Sequence, residues 1–335
     1  MAARVASLDN HRRQTGRRAK TGDQQGPAAK ARVARRPTAA PDGLERLVEF
    51  VHQLGNAVNP DVIARLNDEI AHRMHKVPVR LNRYGYDPWG FHVDSARRAL
   101  QVTALFYRYY FRAEASGIEH LPPGRVLLIA NHAGQIAIDG TMIATAAFLY
   151  GDPPRILRAM GEYWLPTVPF VSELLARIGS VVGTPKNCVD LLNNDEAVLV
   201  FPEGVRGMNK LFSQRYQLQE FGLGFVRLAL ETKTPIVPVA VVGSEEQAPA
   251  IANVRWLARL LGMPAFPVTL TWPWLGPLGL IPLPAKYRIY FGKPMRFSGN
   301  PHDEDRVIQR HVDKVKSAIQ SMLERGLRER TGVFF

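Results

Sequence analysis

The chain has 335 residues, 46% of them hydrophobic, which is normal for a folded protein and long enough for one large domain or two ordinary ones. Its single cysteine, Cys188, excludes an internal disulfide and a metal site built from several cysteines. The formal net charge of +13 predicts an anionic partner, such as a membrane surface, a phosphate-bearing substrate or nucleic acid.

Residues 1–43 are predicted to form a disordered basic tail. Residues 1–40 contain ten Lys or Arg against two acids and almost no large apolar side chains, so they cannot bury enough surface to fold. An alternative is a leader that only aids solubility. Because no apolar segment of the length needed for export occurs here, we expect no signal peptide and a cytosolic location.

Residues 44–118 are predicted to be accessory helices. Apolar residues recur at helical spacing from Leu44 to Leu54, and Pro60 directly follows Asn59 at a plausible helix start. Residues 95–117 are predicted to form a long helix with a wide apolar and aromatic face.

From residue 119 to the end, apolar strand candidates alternate with helical patterns. The strand candidates are 125–131, 155–160, 180–183, 197–204, 235–243 and 287–295. Alternation of this kind predicts an α/β domain with a central, mostly parallel sheet flanked by helices. The stretch from Asp303 to about Arg330 is predicted to be an amphipathic helix that closes the domain.

One uncharged segment, 260–285, is long enough to cross a bilayer. It contains six prolines, and lipid cannot replace the backbone hydrogen bonds that interior prolines remove. We therefore expect an irregular apolar segment that packs on the core or lies against a membrane. Trp272 and Trp274 suit an interfacial position, and they suit a protein core equally well.

The first strand candidate ends in Asn131 and His132, at the sheet edge where α/β proteins bind ligands. A neutral imidazole can accept a proton from a hydroxyl, provided that an acceptor fixes its other ring nitrogen. Asp139 can be that acceptor, as in a Ser-His-Asp arrangement whose serine is replaced by a substrate hydroxyl. The alternative is that Asp139 only caps the following helix and His132 is a hydrogen-bonded loop residue.

The fourth candidate strand ends in "FPEGVRG", which places Glu203, Gly204 and Arg206 at the same edge. Arg206 can bind a phosphate or carboxylate through two parallel hydrogen bonds, and Gly204 permits close approach of a ligand. The alternative is a structural ion pair between Glu203 and Arg206.

Together, "NH" with a following Asp, "FPEGVRG" and "IVPVAV" resemble, over roughly 119–295, the glycerolipid acyltransferases typified by lysophosphatidate acyltransferase. The resemblance implies a general base with its orienting carboxylate at His132 and Asp139. It implies substrate binding at Glu203, Gly204 and Arg206.

The chain departs from this family pattern in two ways. Six residues separate His132 from Asp139 where the family has four, and Ala137 stands at the usual Asp position. The family's second block ends in a phosphate-binding Arg, but in "IGSVVGTPKN" no Arg follows, and the nearest cation, Lys186, is the candidate substrate-binding residue there.

The resemblance implies transfer of a fatty acyl group from acyl-CoA or acyl-carrier protein to a lysophospholipid or related glycerolipid. The thioester is then a substrate, and no metal or bound cofactor is expected. Backbone N–H groups near Gly204 are expected to stabilise the oxyanion. We expect a peripheral protein on the cytoplasmic side of the membrane, with no specific nucleic acid partner. The alternatives are an acceptor without phosphate, such as diacylglycerol or a glycolipid, and a non-catalytic lipid- or nucleic-acid-binding protein.

Overall fold

A computed structural model describes residue 50 and residues 52–163, 170–260 and 265–334. The predicted tail, 1–43, and the beginning of the predicted accessory region, 44–49, lie outside these described residues.

Among the described residues, seven strands form a central sheet in the order β1, β9, β6, β2, β5, β3, β4. Every neighbouring pair is parallel except β6 and β9. The strands are β1 (Glu114–Ser116), β2 (Val126–Ala130), β3 (Leu157–Gly161), β4 (Val181–Val182), β5 (Ala197–Val200), β6 (Ile236–Val242) and β9 (Arg288–Phe291), and a separate hairpin contains β7 (Ala250–Asn253) and β8 (Pro267–Thr269). This arrangement confirms the predicted fold class.

Helices cover both faces of the sheet. They are α1 (Pro60–Met74), α2 (Val93–Leu105), α3 (Ile138–Tyr150), α4 (Val171–Arg177), α5 (Pro185–Asn193), α6 (Val205–Met208), α7 (Gly224–Glu231), α8 (Arg255–Leu260) and α9 (Asp305–Glu329). Alternate residues of β2 contribute to two apolar clusters, Leu127 and Ile129 to one that includes α5, α7 and α9, and Leu128 to one that includes α3. All residues of β2 and β6 are buried, as expected for central strands covered on both faces.

The N-terminal helices pack directly against the α/β domain. Asn59 accepts a hydrogen bond from the Asp61 N–H at 2.9 Å and so caps α1 at the predicted start. Leu66 and Ile70 of α1 share a buried cluster with Phe148 of α3.

The predicted helix over 95–117 ends earlier than expected. α2 stops at Leu105, one π-helical turn follows, and β1 begins at Glu114. Arg112 has φ = 45°, which no continuing helix permits, and β1 pairs in parallel with β9. Pairing with a strand about 170 residues away therefore overrides the local helical pattern at 114–116.

The apolar segment 260–285 forms no long helix where it is described. It contains β8 and a 3₁₀ turn at Gly276–Leu280, and residues 261–264 lie outside the described part. No helix among the described residues is long and apolar enough to cross a membrane.

Candidate active site

The candidate site lies at the carboxyl edge of the sheet, where the ends of β2 and β5 meet. These strands are parallel neighbours, and Ile129 is in register with Val200. Three residues further along each chain come His132 and Glu203, and the His132 N–H donates to Glu203 Oε1 at 2.9 Å. The two sequence motifs therefore come together because the sheet places their strands side by side.

Asn131 fixes the loop that carries His132 to β6, the other parallel neighbour of β2. Its carboxamide donates to the Val241 carbonyl at 3.1 Å and accepts from the Val241 N–H at 2.8 Å. The side chain thereby adds one more pair of ladder-like hydrogen bonds between β6 and the residue just past the end of β2, which positions the following His132.

His132 and Asp139 are in direct contact. His132 Nδ1 lies 2.8 Å from Asp139 Oδ2, and the same oxygen accepts the Ala133 N–H at 3.0 Å. Asp139 is fully buried in the first turn of α3, where the helix dipole favours its charge. The cap position of α3 is Ala137, and Asp139 contacts the histidine through Oδ2 while its Oδ1 accepts the Gly140 N–H of its own helix at 2.7 Å.

The loop between the two residues accommodates the longer spacing through two left-handed positions. Gly134 has φ = 90° and Gln135 has φ = 63°. A Cβ on Gly134 would lie 2.2 Å from Gln247 Nε2 and 2.5 Å from the Ser244 carbonyl oxygen, so only glycine fits here. Gln247 Nε2 in turn donates to the carbonyls of Gly134 at 3.1 Å and Ile136 at 3.2 Å.

The His132 ring is 8% exposed and stacks on Phe201 at a centroid distance of 4.1 Å. Burial lowers its pKa, but the Asp139 carboxylate and, more weakly, Glu203 raise it, and the net effect is a pKa above the ordinary value. Because Nδ1 contacts Asp139, Nε2 is the ring nitrogen that this contact leaves free. No hydrogen bond to Nε2 is formed within the described part of the chain.

Glu203 has a different environment from the one expected for a substrate contact. It is 2% exposed, and its Oε2 accepts the Gln219 N–H at 2.7 Å while Oε1 accepts the His132 N–H. Both oxygens thus bind protein donors, and Glu203 positions the histidine loop. Gly207 allows this approach, since a Cβ there would lie 2.7 Å from Glu203 Cβ and 3.0 Å from the His132 carbonyl oxygen.

Gly204 and the two predicted cations make no hydrogen bond or ion pair with His132 or Asp139 within the described residues. Gly204 has φ = 55°, but its N–H already donates to Phe201 O at 3.0 Å and is not available to an oxyanion. Arg206 is exposed and pairs with Glu220 at 3.3 Å, not with Glu203. Lys186 is exposed in the first turn of α5, which follows the outermost strand β4. Three strand spacings, or about 14 Å, separate β4 from β2.

The sequence motifs did not single out a buried ion pair below the site. Lys210 Nζ donates to Glu245 Oε1 at 2.9 Å and lies 3.7 Å from Glu203 Oε2. Burial raises the pKa of Glu245, and Lys210 opposes that shift. "SEEQ" at 244–247 follows a buried parallel strand, as "NH" and "FPEG" do, so the same sequence signal was available for Glu245 and Gln247.

Cys188 lies in the apolar core, away from the candidate site. It is buried in the cluster that contains α5 and α7, and burial raises the pKa of its thiol to about 11. Within the described ranges, no cluster of His, Cys, Asp or Glu has the arrangement of a metal site.

Known proteins resemble this chain in sequence. A family model described as "Acyltransferase" matches residues 112–242. A protein of Mycobacterium tuberculosis is 38% identical over 260 residues, which cover 76% of this chain and 72% of that protein. A protein of Mycobacterium leprae is 40% identical over 262 residues, covering 76% and 70%. The chain belongs to the acyltransferase family. This finding confirms the resemblance read from the motifs and the expectation that the chain is an acyltransferase.

Two further likenesses are more distant. A mouse protein named "DGAT1/2-independent enzyme synthesizing storage lipids" is 25% identical over 252 residues, which cover 72% of this chain and 68% of that protein. The crystal structure of the 1-acyl-sn-glycerophosphate acyltransferase PlsC from Thermotoga maritima aligns with 86% of this chain and 99% of its own, with a TM-score of 0.48 and 15% identity.

Proposed function

We propose that this acyltransferase moves a fatty acyl group from an acyl-CoA or acyl-carrier-protein thioester to a hydroxyl of a glycerolipid, with His132 as general base. The observation that carries the proposal is the 2.8 Å contact between His132 Nδ1 and Asp139 at the carboxyl edge of the sheet. It fixes the ring and leaves Nε2 as the proton acceptor, and a protein that only binds lipid has no need of such a pair.

The reaction needs no nucleophile from the protein. His132 Nε2 takes the proton of the acceptor hydroxyl while its oxygen attacks the thioester carbonyl, forming the new C–O bond. The tetrahedral intermediate then collapses, the C–S bond breaks, and the imidazolium returns the proton to the departing thiolate. Asp139 stabilises the imidazolium between these steps.

Two classes of acceptor are open, and the placement of the cations favours one of them. A phosphorylated acceptor such as a lysophospholipid calls for a free cation beside the histidine. Arg206 pairs with Glu220, Lys186 lies in the first turn of α5 after the outermost strand, and Lys210 is buried between carboxylates. These positions favour an acceptor without phosphate, such as diacylglycerol or a glycolipid. The name of the mouse relative, which refers to storage lipids, supports the same choice.

The test is acyl transfer by the purified protein from labelled acyl-CoA to a panel that includes a lysophospholipid, diacylglycerol and a glycolipid. We expect transfer to the alcohols without phosphate, and a loss of about 100- to 10,000-fold in the His132→Ala variant. The exposed His302 gives the matched control, because His302→Ala should retain full activity. A folded His132→Ala protein with near-full activity would contradict the mechanism, and transfer to the lysophospholipid alone would contradict the choice of acceptor.

A further inference from the structure

The β7–β8 hairpin, α8 and the 3₁₀ turn after β8 form a small unit, here called the apolar hairpin unit (residues 250–260 and 265–281). It exposes large apolar side chains to an unusual degree. More than half of the surface is accessible in Ile251, Trp256, Leu260, Leu270, Trp274, Leu275, Leu278, Leu280 and Ile281. Single exposed apolar residues are ordinary, but a concentration of nine in one unit marks an interaction surface.

Specific contacts hold the backbone of this unit in place, so its exposed apolar side chains belong to an ordered surface. Trp274 Nε1 donates to the Thr269 carbonyl at 3.2 Å, although the side chain is 67% exposed. A Cβ on Gly279 would lie 2.4 Å from the Thr271 carbonyl oxygen, so the turn requires glycine to close on β8. Thr271 Oγ1 also donates to the Gly279 carbonyl at 2.9 Å.

The unit is attached to the candidate active site at both of its ends. It leaves the sheet after β6, whose carboxyl end lies beside that of β2. On the way in, the Gln247 side chain binds the carbonyls of Gly134 and Ile136 in the histidine loop. On the way out, the Leu283 N–H donates to the Gln247 carbonyl at 2.7 Å. These hydrogen bonds of Gln247 therefore connect the unit directly to the loop that carries the histidine.

The charge of the apolar hairpin unit favours an anionic partner. Residues 250–281 contain two cations, Arg255 and Arg259, and no acid. Tryptophan together with basic residues and large aliphatic side chains is the composition of surfaces that lie in the bilayer interface, and cations near it are attracted by anionic lipids. A symmetric contact of this unit with the same unit of a second copy would instead bring like charges together.

We propose that the apolar hairpin unit is the surface by which the protein docks on an anionic bilayer. Docking there presents the histidine edge to lipid acceptors dissolved in the membrane, a rationale that rests on the proposed function. The docking itself is independent of catalysis and is measured separately.

The experiment is co-sedimentation of the full-length protein with vesicles of phosphatidylcholine and phosphatidylglycerol. We expect Trp274→Ser with Leu278→Ser to weaken vesicle binding by at least about tenfold, because each buried apolar side chain contributes more than a factor of ten. The matched control is Val58→Ser with Tyr84→Ser, two side chains that are equally exposed elsewhere and should not change binding. Vesicles of phosphatidylcholine alone should bind the parent protein more weakly.

Activity measured in parallel separates the two proposals. The variant at Trp274 and Leu278 should keep its activity on a water-soluble, short-chain acceptor and lose activity on an acceptor embedded in vesicles. Unchanged vesicle binding by this variant overturns the docking proposal, even if acyl transfer persists. So does a dimer in analytical ultracentrifugation that this variant alone dissociates while vesicle binding is unchanged. Lost vesicle binding with no acyl transfer in the parent protein would instead overturn the proposed function alone.

Discussion

Replacement of Asp139 by Asn tests the proposed catalytic role of the His132–Asp139 pair most directly. The carboxylate is fully buried and accepts hydrogen bonds from His132 Nδ1, the Ala133 N–H and, at 2.7 Å, the Gly140 N–H. Asn has the same shape, so packing is retained and the charge is removed. Its amide, however, has only one oxygen, whereas the three N–H donors around Asp139 need an acceptor on both sides of the carboxylate.

Either orientation of the new amide damages the base. If its NH₂ group faces His132, it donates to Nδ1, and the ring must carry its proton on Nε2, where the substrate proton should go. If its oxygen faces His132, the NH₂ group opposes the Gly140 N–H, and the imidazolium still loses its counter-charge. We therefore expect kcat to fall by about 100- to 10,000-fold, or about 3–5 kcal/mol in activation free energy.

The pH profile gives the second readout. In the parent protein Asp139 raises the pKa of His132 against the effect of burial, so the rate should increase with pH through a value above that of an ordinary histidine. In Asp139→Asn the effect of burial remains without the opposing carboxylate, and the increase should move to lower pH. The assay is kcat/KM against pH with a water-soluble acceptor, and Asp190→Asn, an exposed change, is the control. Near-parental kcat with an unshifted profile in a folded Asp139→Asn protein would refute the role of this pair.

Three further changes test the surroundings of the site. Gly207→Ala should lower both activity and the free energy of unfolding, by about 1–3 kcal/mol, because its Cβ would be 2.7 Å from a buried neighbour; Gly224→Ala, with nothing within 4 Å, should do neither, as measured by chemical denaturation. Lys210→Met should cost about 3–5 kcal/mol of unfolding free energy because it leaves buried carboxylates without their cation. Adding Glu245→Gln should restore part of that loss, and an additive double variant would show that the pair is not coupled. Arg206→Ala should change stability by at most about 1 kcal/mol and leave the KM for an alcohol acceptor unchanged, whereas a strongly raised KM would place this exposed residue in the acceptor site.

The sheet was predictable because its central strands carry their own signal. β2 and β6 are unbroken apolar runs, as strands buried on both faces must be, and their ends are marked by polar residues. β1 was not predictable, because three residues continue the pattern of the preceding helix and become a strand only by pairing with β9. A strand of three residues is too short for its own pattern to be distinguished from the helical pattern that precedes it.

The residue types of the site were predictable, but several of their environments were not. His132 and Asp139 lie seven positions apart in the sequence, and a short loop limits how far apart they can be in space. The position of Glu203 depends on Gln219 and on Lys210, and the burial of Lys210 depends in turn on Glu245, thirty-five positions further along. Contacts at that separation follow from the folding of the whole edge, so a local motif cannot reveal them.

The two extra residues between His132 and Asp139 show what the site needs from its sequence. Spacing alone does not set the 2.8 Å contact, because the left-handed backbone at Gly134 and Gln135 takes up the additional length. Gln247 then binds the carbonyls of the loop, with its own oxygen accepting from the Tyr287 hydroxyl. A buried residue from another strand end thus compensates for the altered spacing. Because the same residue also binds Leu283 at the exit of the apolar hairpin unit, the geometry of the pair is tied to the surface proposed to meet the membrane.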